Sequence, residues 1–598
     1  MTAGAARAPR NPRPRTAYRS GEDVEQVVVG GRRYGLRVKT LPLDLAVFAG
    51  LPAVPDDAVT HGEVFTRRWV VETILDLADW RPDQDLAHLR LIEPACGTGA
   101  FLQVISERVS DSLRKFDRAL GEAVDSVRAF DLLPANVDTS RRMVRQTFTA
   151  RGWCDREASA VADAWVQQGD YLLSSPYGDD ADVVVGNPPY IRLEDLPEPR
   201  AKVYRSLWPT MVGRADIYVG FIEAGLKSLR AGGVLAFICA DRWMRNQYGR
   251  RLRELVAEGF AVETVIGMHD VDAFEHPVSA YPAIVVLRRG PQAEAVVADT
   301  TGRFDSGGAS ELVSWLRAGG TESAGTGWRA ARVSSWRRDS RPWPATSPSV
   351  AAALADLSER FPALDLPASH VRVGIGVATG ADRVYITRDG DLVESDLLLP
   401  LALATDTATG TFVWSRHYLV NPWAPDGRLV SLADYPLLRR HVSRHAETLR
   451  ARHVGRRRPD QWYRTIDKVD RPLLDRPKLL FPDLKATSHP VLEPGGHYPH
   501  HNLYWLSSEV WDLEVLGGLL LSRVAEAFID AYGVKMRGGT LRFQAQYLRM
   551  IHVPTPESIT RLTAKALRTA FRRRDPEAAT AAALASYGLA SWPRAWKV

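Results

Sequence analysis

The stretch DVVVGNPPY, residues 182–190, combines residue types that can do chemistry on an amine. Its two prolines, Pro188 and Pro189, fix the backbone so that the carbonyls face a pocket instead of entering a strand ladder. The side-chain oxygen of Asn187 and the carbonyl of Pro188 can then accept hydrogen bonds from one NH2 group, which makes its nitrogen a better nucleophile. The ring of Tyr190 offers a stacking face for a planar heterocycle. The stretch predicts a site that activates an amine on a planar group, with a plain Asn-Pro turn as the alternative.

Acidic residues end three earlier short runs, of which the first two are apolar. Glu93 lies in LIEPACGTGAFL just before Gly97 and Gly99, whose lack of a side chain lets a ligand approach the backbone. The turn lacks the spacing G-x-G-x-x-G, which disfavours a dinucleotide. Asp131 closes VRAFD, and its spacing along the chain from the glycine-rich turn suits an acid that accepts hydrogen bonds from ribose hydroxyls. Asp170 closes VQQGD, where it could accept a hydrogen bond from the exocyclic amine of an adenosine. Each acid alone could equally be a helix cap or a turn residue.

These candidate residues all follow strands of one alternating pattern, which covers residues 61–290. Apolar runs alternate with amphipathic stretches in the order HLRLIE, VRAFD, DVVVG, GGVLAFICAD, ETVIGMHDV and AIVVLRR. The pattern predicts an α/β domain with a doubly wound, mostly parallel sheet. Because ligands of such sheets bind beyond the carboxyl ends of the strands, we expect the candidate residues to meet at one edge.

The order EPACGTG, FD, GD and NPPY resembles the TaqI-type, or gamma, arrangement of amino-methylating DNA methyltransferases. Residues 215–253 and 272–289 are similar to later motifs of that family, and residues 61–75 to its cofactor-covering entry motif. The resemblance implies a class I, Rossmann-like methyltransferase that uses S-adenosylmethionine. It further implies, as target, the N6 amine of an adenine flipped out of double-stranded DNA.

The resemblance also assigns roles to residues that bind the cofactor. Glu93 and Ala95 would meet its methionine end, Asp131 its ribose, and Asp170 its adenine amine. After the threonine of the entry motif the family usually has proline, where this sequence has Arg67. The implied cofactor contacts are Thr66, Glu93, Ala95, Gly97, Gly99, Asp131, Asp170, Asn187 and Pro189.

The resemblance assigns fewer residues to binding and activating the target base. Asn187, Pro188 and Tyr190 are the implied catalytic residues, because they match the NPPY motif. By similarity to the family's eighth motif, Phe274 would stack on the face of the base opposite Tyr190.

The rest of the chain predicts a DNA-binding body and its connections. Residues 1–20 have five arginines, no acid and several prolines, which indicates a disordered basic tail, with an N-terminal extension at 21–60. Residues 291–350 are rich in Gly, Ser, Thr and Arg and predict a connecting region. Residues 351–598 predict a mixed α+β target-recognition domain with C-terminal helices. Residues 370–386, 498–506 and 535–554 resemble such domains of methyltransferases related to type IIG restriction enzymes.

An arginine-rich segment of this second body, residues 435–464, has nine arginines and two acids. Its charge, beside Trp462 and Tyr463, suits contact with DNA phosphates, and a solvated helix face is the alternative. The predicted DNA contacts are Arg456, Arg457, Arg458, Arg537 and Arg542.

Residues typical of metal sites occur without the usual spacing, so no metal is expected. His500 and His501 are adjacent, unlike a helical zinc pair, and His441 and His445 have helical spacing without a neighbouring Glu or Cys. The stretch 469–485 holds Asp470, Asp483 and Lys485, the residue types of a magnesium nuclease. Only about 60 residues precede the entry motif, too few for the nuclease domain of fused enzymes, so cleavage is not expected.

Composition sets broad limits on the class of protein. Of the 598 residues, 45% are hydrophobic and 25% charged, and 77 basic against 71 acidic residues give a net charge of +6. No apolar run reaches the roughly 18 residues of a membrane span. Three scattered cysteines indicate a reducing compartment, so we expect a cytoplasmic protein. The expected partner is double-stranded DNA, with a separately encoded restriction endonuclease in the same system, and the expected state is a monomer.

Other functions fit parts of the same pattern. A fused nuclease-methyltransferase would also cut DNA in the presence of magnesium. NPPY also occurs in enzymes that methylate guanine amines of RNA or a protein glutamine, since each target presents an NH2 on a planar group. Cytosine N4 is a further alternative target, and the Asn of the motif in this gamma order favours adenine over it. A DNA-binding scaffold that has lost catalysis is disfavoured by the intact NPPY.

Overall fold

The computed structural model describes residues 24–29, 32–37, 64–174, 180–276, 281–333, 336, 340–344, 346–533, 535–536 and 540–593. Strands β1 (Val24–Val29) and β2 (Arg32–Arg37) form an antiparallel hairpin. The predicted basic tail at 1–20 and the rest of the extension at 21–60 lie outside the described residues.

A ten-stranded sheet carries the candidate residues. Its strands are β3 (Leu91–Glu93), β4 (Val127–Asp131), β5 (Val166–Gln168), β6 (Ala181–Gly186), β7 (Leu229–Ala240), β8 (Phe260–Gly267), β9 (Pro282–Arg289), β10 (Ala295–Thr300), β11 (Glu322–Gly325) and β12 (Trp328–Val333). Their order is β11-β12-β10-β8-β9-β7-β6-β3-β4-β5. Strands β7, β6, β3, β4 and β5 run parallel, and β9 lies antiparallel between β7 and β8. The predicted doubly wound, mostly parallel sheet is confirmed.

Helices cover both faces of this sheet, which explains why its central strands are almost continuously apolar. One hydrophobic core lies on each face. The helices are α1 (Arg68–Leu77), α2 (Ala100–Lys115), α3 (Pro134–Ala150), α4 (Asp155–Trp165), α5 (Tyr171–Ser174), α6 (Glu198–Leu207), α7 (Tyr218–Ser228), α8 (Arg242–Arg245), α9 (Arg250–Gly259) and α10 (Ser306–Ala318).

The structure corrects the expectation for residues 291–350. This segment, predicted to be a connecting region, supplies β10, α10, β11 and β12 and so extends the sheet at the β8 side. Its strands have four to six residues each, and glycines and serines between them obscure their alternation. Short edge strands give a weak sequence signal, because only part of each strand is buried.

The described residues of the second body form two large hydrophobic cores, two smaller clusters and three small sheets. Its strands are β13 (Arg372–Ile375), β14 (Ile386–Thr387), β15 (Leu398–Ala402), β16 (His417–Val420), β17 (Lys478–Pro482), β18 (Leu484–Lys485), β19 (Val491–Glu493), β20 (Tyr498–Pro499), β21 (Leu503–Ser507), β22 (Lys535–Met536) and β23 (Thr540–Arg542). They form sheets in the orders β13-β21-β17-β19, β14-β16-β15-β20 and β18-β23-β22. The predicted mixed α+β character of this body is confirmed.

Eleven helices are described in the second body. They are α11 (Pro348–Arg360), α12 (Asp382–Tyr385), α13 (Pro436–Arg444), α14 (Ala446–Ala451), α15 (His453–Arg457), α16 (Arg471–Asp475), α17 (Leu513–Leu521), α18 (Arg523–Tyr532), α19 (Ala545–Leu548), α20 (Arg561–Arg573) and α21 (Pro576–Tyr587). Two of the hydrogen bonds between this body and the methyltransferase body involve Arg245 of α8 and Asn246, the residue after α8. Arg245 donates to the carbonyl of Gly533 over 3.2 Å, and the Tyr547 hydroxyl donates to the Asn246 side-chain oxygen over 3.4 Å. Among the described residues, no helix is both long and apolar enough to cross a membrane.

Candidate active site

A cavity of about 330 Å³ lies at the carboxyl ends of β3, β4, β5 and β6. It lies where a doubly wound sheet binds its ligands, and its volume is that of a small-molecule site. Of the nine residues predicted to contact a cofactor, eight line it: Thr66, Glu93, Ala95, Gly97, Asp131, Asp170, Asn187 and Pro189.

The ninth residue, Gly99, packs two helices together instead. A side chain at this position would come within 2.5 Å of the Met143 methyl group and 3.1 Å of the Ser140 hydroxyl. Gly99 also has φ of 99°, a conformation that favours glycine, as does Gly97 with φ of 52°. Glycine at 99 therefore permits the close approach of α2 and α3, whereas glycine at 97 shapes the cavity wall.

Glu93 is a buried carboxyl group with an unsatisfied oxygen. It is 1% exposed, and its Oε2 has no hydrogen-bond partner among the described residues. Burial, and then the nearby charge of Asp131, raise the pKa of Glu93 well above its usual range. Because a buried acceptor without a partner costs about 1–3 kcal/mol, this oxygen is suited to a ligand that brings a hydrogen-bond donor or a positive charge.

Asp131 joins the ends of β3 and β4. Its Oδ2 accepts a hydrogen bond from the Gly97 amide at 2.9 Å, and its Oδ1 accepts bonds from the Leu133 amide at 2.9 Å and the Asn136 side chain at 3.1 Å. These bonds fix the carboxylate at the cavity wall. Since each carboxylate oxygen can accept two bonds, Oδ2 can still receive a hydroxyl group.

Asp170 is held by two residues that the sequence analysis did not single out. Its Oδ2 accepts a hydrogen bond from the Tyr204 hydroxyl at 2.5 Å and one from Arg200 at 3.2 Å. Burial raises the pKa of Asp170, and these two bonds oppose that rise. Arg200 and Tyr204 lie four residues apart on α6 and line the cavity, so this helix closes the wall beyond β5. Their helical spacing just after NPPY was the available signal in the sequence.

The side chain of Asn187 has a fixed orientation. Its NH2 group donates to the carbonyl of Val64 at 3.0 Å and to the hydroxyl of Thr66 at 3.2 Å. Its Oδ1 is buried and has no hydrogen-bond partner among the described residues. With the nitrogen satisfied, the only hydrogen-bonding capacity left on this side chain is as an acceptor.

The two predicted stacking residues lie close together. The rings of Tyr190 and Phe274 have centroids 6.5 Å apart and planes at 81°, and Tyr218 lies edge-on to Tyr190 at 6.3 Å. The Tyr190 hydroxyl is buried without a partner among the described residues. Behind it, the Tyr218 hydroxyl bonds to that of Tyr248 at 2.8 Å, which in turn donates to Asp216 at 3.5 Å. This polar chain was not singled out from the sequence.

A short backbone pairing connects Asn187 to Phe274. Thr66 forms an antiparallel bridge with Phe274, and the amide of Arg67 donates to the carbonyl of Ala273 at 3.0 Å. A proline in place of Arg67 has no N–H for this bond. The departure from the family pattern therefore adds a hydrogen bond, and Thr66 still contacts Asn187.

The chain is similar in sequence to known proteins over most of its length. Residues 175–274, from before NPPY to Phe274, match the Eco57I restriction-modification methylase family. The chain is 42% identical over 535 residues to the type II methyltransferase M.PaeR7I of Pseudomonas aeruginosa, covering 88% of this chain and 92% of that protein. It is 38% identical over 553 residues to the type II methyltransferase M.XhoI of Xanthomonas vasicola, covering 90% and 98%. This chain belongs to the type II methyltransferases.

A solved structure agrees at the level of the fold. The type IIL restriction-modification enzyme MmeI, in complex with DNA, gives a TM-score of 0.54 at 10% identity, covering 87% of this chain and 71% of that one. The resemblance drawn from EPACGTG and NPPY is confirmed. This type II methyltransferase is a DNA methyltransferase of restriction-modification systems, with S-adenosylmethionine as its methyl donor.

The cavity of this type II methyltransferase fits that methyl donor. S-adenosylmethionine carries an ammonium group, ribose hydroxyls and an adenine amine, all of which can donate hydrogen bonds. The cavity presents carboxylates at the ends of three strands, and one of them, Glu93, has a buried oxygen without a partner among the described residues. The donors of the cofactor and the acceptors of the cavity are therefore chemically matched.

The predicted DNA contacts of this type II methyltransferase fall into three groups. Arg456, Arg457 and Arg458 lie at the end of α15, are exposed, and form no ion pair with another described residue. Arg542 forms an ion pair with Asp483, which uses much of its hydrogen-bonding capacity. Arg537 lies outside the described residues.

Proposed function

We propose that this type II methyltransferase transfers a methyl group to the N6 amine of an adenine flipped out of double-stranded DNA. The observation that carries the proposal is the side chain of Asn187, whose nitrogen is held by Val64 and Thr66 while its buried oxygen has no partner among the described residues. An exocyclic NH2 group is the substrate chemistry that completes this site.

In the proposed reaction, Asn187 Oδ1 and the Pro188 carbonyl each accept one hydrogen of the adenine NH2. These bonds draw the lone pair of the nitrogen out of conjugation with the ring and aim it away from the base plane. S-adenosylmethionine supplies, when bound, an electrophilic methyl group on a positively charged sulfur. The bonds from Val64 and Thr66 keep the amide from turning its NH2 group toward the substrate, which would repel the amine.

Tyr190 and Phe274 are proposed to stack on the two faces of the flipped base. A base between two parallel rings requires ring planes about 7 Å apart, two contact distances of about 3.5 Å. The centroids are already 6.5 Å apart, but the planes are nearly perpendicular, so one ring must turn when the base enters. Stacking of roughly 1–3 kcal/mol per base would offset the few kcal/mol that flipping costs.

Adenine is proposed over cytosine because residue 187 is asparagine in the gamma order of motifs. Both bases present an exocyclic amine beside a ring nitrogen, so the Asn187 acceptor alone suits either. Methylation at cytosine N4 is the second candidate, and the identity of the methylated base separates the two.

The cofactor roles follow from the cavity. We assign the ammonium group of the methionine end to Glu93, the ribose to Asp131, and the adenine amine to Asp170, which Arg200 and Tyr204 hold in place. The ionised form of Glu93 is the one that an ammonium group stabilises, since opposite charges favour each other in a buried site.

The division into domains is proposed with one changed boundary. We place the methyltransferase domain at residues 61–333, because β10 to β12 belong to its sheet, and keep the target-recognition domain at 351–598. Exposed arginines at the end of α15 are proposed to contact DNA phosphates.

A separately encoded endonuclease is proposed to complete the system. Of the nuclease-type residues in 469–485, Asp483 is paired with Arg542, and no group of three potential metal ligands within the described part of the chain includes Asp470 or Asp483. We further propose that the enzyme acts as a monomer, methylating each strand of its site in turn. Sedimentation of the DNA complex, together with a cleavage assay in magnesium, tests both statements.

The experiment that tests the proposed function uses a host without DNA methylation. The protein and its Asn187→Ala variant are expressed separately, and modified bases are read along the host genome by single-molecule sequencing. We expect N6-methyladenine at nearly every copy of one short motif for the parent, and at few or no copies for the variant. N4-methylcytosine at a motif would replace the first candidate by the second, and unmodified DNA with soluble, cofactor-binding protein would overturn both.

A further inference from the structure

Three side chains with metal-binding atoms meet in the second body. Asp382 is the first residue of α12, and His500 and His501 directly follow β20, more than 110 residues later in the chain. Their ligand atoms lie within 4.8 Å of one another, and this is the one such group of three within the described part of the chain. None of the three lines the cofactor cavity.

The distances within the group are those of a coordination site. His500 Nε2 lies 2.9 Å from His501 Nδ1 and 3.3 Å from Asp382 Oδ2. Two ligands each about 2.0–2.1 Å from a Zn²⁺ ion lie about 2.9 Å apart at a right angle and about 3.4 Å apart at the tetrahedral angle. Both observed distances fall in this interval, and the Asp382 and His501 ligand atoms lie within 4.8 Å of each other. A Zn²⁺ ion can therefore be bound by all three once the half-exposed Asp382 side chain adjusts its position.

The surrounding chain holds the ligands in place. Thr379, which is fully buried, donates a hydrogen bond of 2.5 Å to Asp382 Oδ1 and so leaves Oδ2 directed at His500. The backbone of His500 forms a parallel bridge with Val377, and the His501 amide donates to the Val377 carbonyl at 3.0 Å. Partners that orient the ligands in this way are typical of metal sites.

Hydrogen bonds within the group can satisfy only one of the two short contacts of His500 Nε2. His500 Nε2 carries at most one hydrogen but faces two groups that can accept one, Asp382 Oδ2 and His501 Nδ1. If Nε2 donates to the carboxylate, its contact with His501 places two nitrogens at 2.9 Å without a linear hydrogen bond. A cation at the centre instead accepts a lone pair from all three side chains.

We propose that Asp382, His500 and His501 bind one divalent transition-metal ion, for which Zn²⁺ is the probe, with water completing the coordination. Two imidazoles and one carboxylate are ligands that such ions prefer to the oxygen-only sites of Mg²⁺ or Ca²⁺. The ion ties α12 to the end of β20, and so joins two segments that both resemble target-recognition domains. It takes no part in methyl transfer, and the proposal does not rest on the choice of adenine.

A second histidine pair, the one with helical spacing in the sequence, serves as the matched control. His441 and His445 have helical spacing, but His441 Nε2 contacts the carbonyl of Val384 at 2.8 Å, and no carboxylate joins the pair among the described residues. A His445→Gln variant therefore removes one histidine without touching the proposed site.

The test uses full-length protein without a polyhistidine tag, treated with EDTA and then dialysed. Calorimetric titration with Zn²⁺ is expected to give one ion per chain for the parent and for His445→Gln. For Asp382→Asn and His501→Gln we expect affinity to fall at least tenfold. Zn²⁺ at about a hundredfold excess over its Kd should raise the Tm of the parent by about 2 °C if the whole chain unfolds together and by about 5 °C if the second body unfolds alone, and EDTA should reverse the shift.

Two further measurements allow the proposal to be tested even if a variant is unstable. Far-UV circular dichroism checks the fold of each variant, and the visible absorption of bound Co²⁺ reports nitrogen and oxygen ligation in the parent protein alone. Absence of stoichiometric Zn²⁺ and Co²⁺ binding to the parent would overturn the proposal. So would unchanged Zn²⁺ affinity in folded Asp382→Asn and His501→Gln.

Discussion

Two buried polar regions of this methyltransferase are built in opposite ways. In the cofactor cavity and at NPPY, Glu93 Oε2, Asn187 Oδ1 and the Tyr190 hydroxyl are buried without partners among the described residues. In the second body, Lys478 and Glu493 are both 0% exposed and are joined at 2.5 Å. The first region leaves these three atoms without partners among the described residues, whereas the second satisfies its charged groups within the protein.

The second region is satisfied on both sides of the ion pair. Lys478 also donates to the carbonyls of His497 at 3.1 Å and Leu474 at 3.4 Å. Glu493 Oε1 accepts from the Gly495 amide at 2.9 Å and contacts His497 Nδ1 at 2.8 Å. Since a buried unsatisfied group costs about 1–3 kcal/mol, the comparison predicts that substitutions in the two regions affect different properties. Changes at the ion pair should reduce stability, and changes at the cavity should reduce function.

The largest effect is expected from Glu493→Ala, which leaves Lys478 buried without its counter-charge. The free energy of unfolding should fall by about 3–5 kcal/mol, measured by urea denaturation of the full chain. The double variant Lys478→Met, Glu493→Leu should recover most of this loss, because no buried charge remains. A loss below about 1 kcal/mol in the single variant would remove the contrast between the two regions.

Asn187→Ala is expected to separate function from stability. Removing the acceptor should lower kcat by about 10²–10³-fold, the cost of losing one preorganised hydrogen bond to the transition state. The free energy of unfolding should change by less than about 1 kcal/mol, because the two lost bonds from the amide nitrogen are offset by removal of the unsatisfied oxygen. Radiolabelled methyl transfer and urea denaturation measure the two effects. A large loss of stability would place Asn187 in the scaffold.

Glu93→Gln is expected to stabilise the cofactor-free protein and to weaken its binding of the cofactor. Because the folded-state pKa of Glu93 is raised above its usual 4.5, the stability of its protonated form is fully present below pH 4.5 and is lost as pH rises through the folded pKa. Glutamine does not ionise, so the variant should be more stable than the parent at neutral pH, with a difference that shrinks in acid.

Cofactor binding should show the opposite preference. The ionised carboxyl suits the ammonium group, so parent affinity should weaken as pH falls through the raised pKa of Glu93. The Gln variant should bind about 10–100-fold more weakly at neutral pH, with less dependence on pH. Calorimetry with S-adenosylmethionine at several pH values measures this, and equal pH dependence in both proteins would assign the titration to another group.

The same contrast explains what the sequence could predict. Strand-end acids and NPPY were recognisable because each directly follows an apolar run, so the sheet alone brings them to one edge. Arg200 and Tyr204 share one face of α6 by their spacing, but they reach Asp170 only through the placement of that helix, which the spacing does not specify. The partner of Asn187 comes from Val64, more than 120 residues earlier, through a loop pairing that sequence spacing does not encode.

The strands at the edge of the sheet and the group of Asp382, His500 and His501 were harder still to predict from the sequence. The sequence predicts a connection at residues 291–350, because the short strands within it lie between glycines and lack a full alternating pattern. Histidines at 500 and 501 appeared unsuitable for a metal because they are adjacent, yet a turn after β20 directs both rings toward Asp382. Long-range placement, and not residue type, was the missing information in each case.

The smallest expected effect extends the contrast to charges at the surface. Arg457→Gln removes an exposed guanidinium that has no ion-pair partner among the described residues. The plot of the logarithm of the DNA association constant against the logarithm of salt concentration should therefore become shallower by about 1 for any DNA sequence. Arg542→Gln is the matched control, because its charge is already neutralised by Asp483 and its slope should stay near that of the parent. Fluorescence anisotropy with a short duplex at several salt concentrations measures both. A larger change for Arg542 than for Arg457 would mean that the DNA displaces Asp483, and would move the phosphate contacts from α15 to β23.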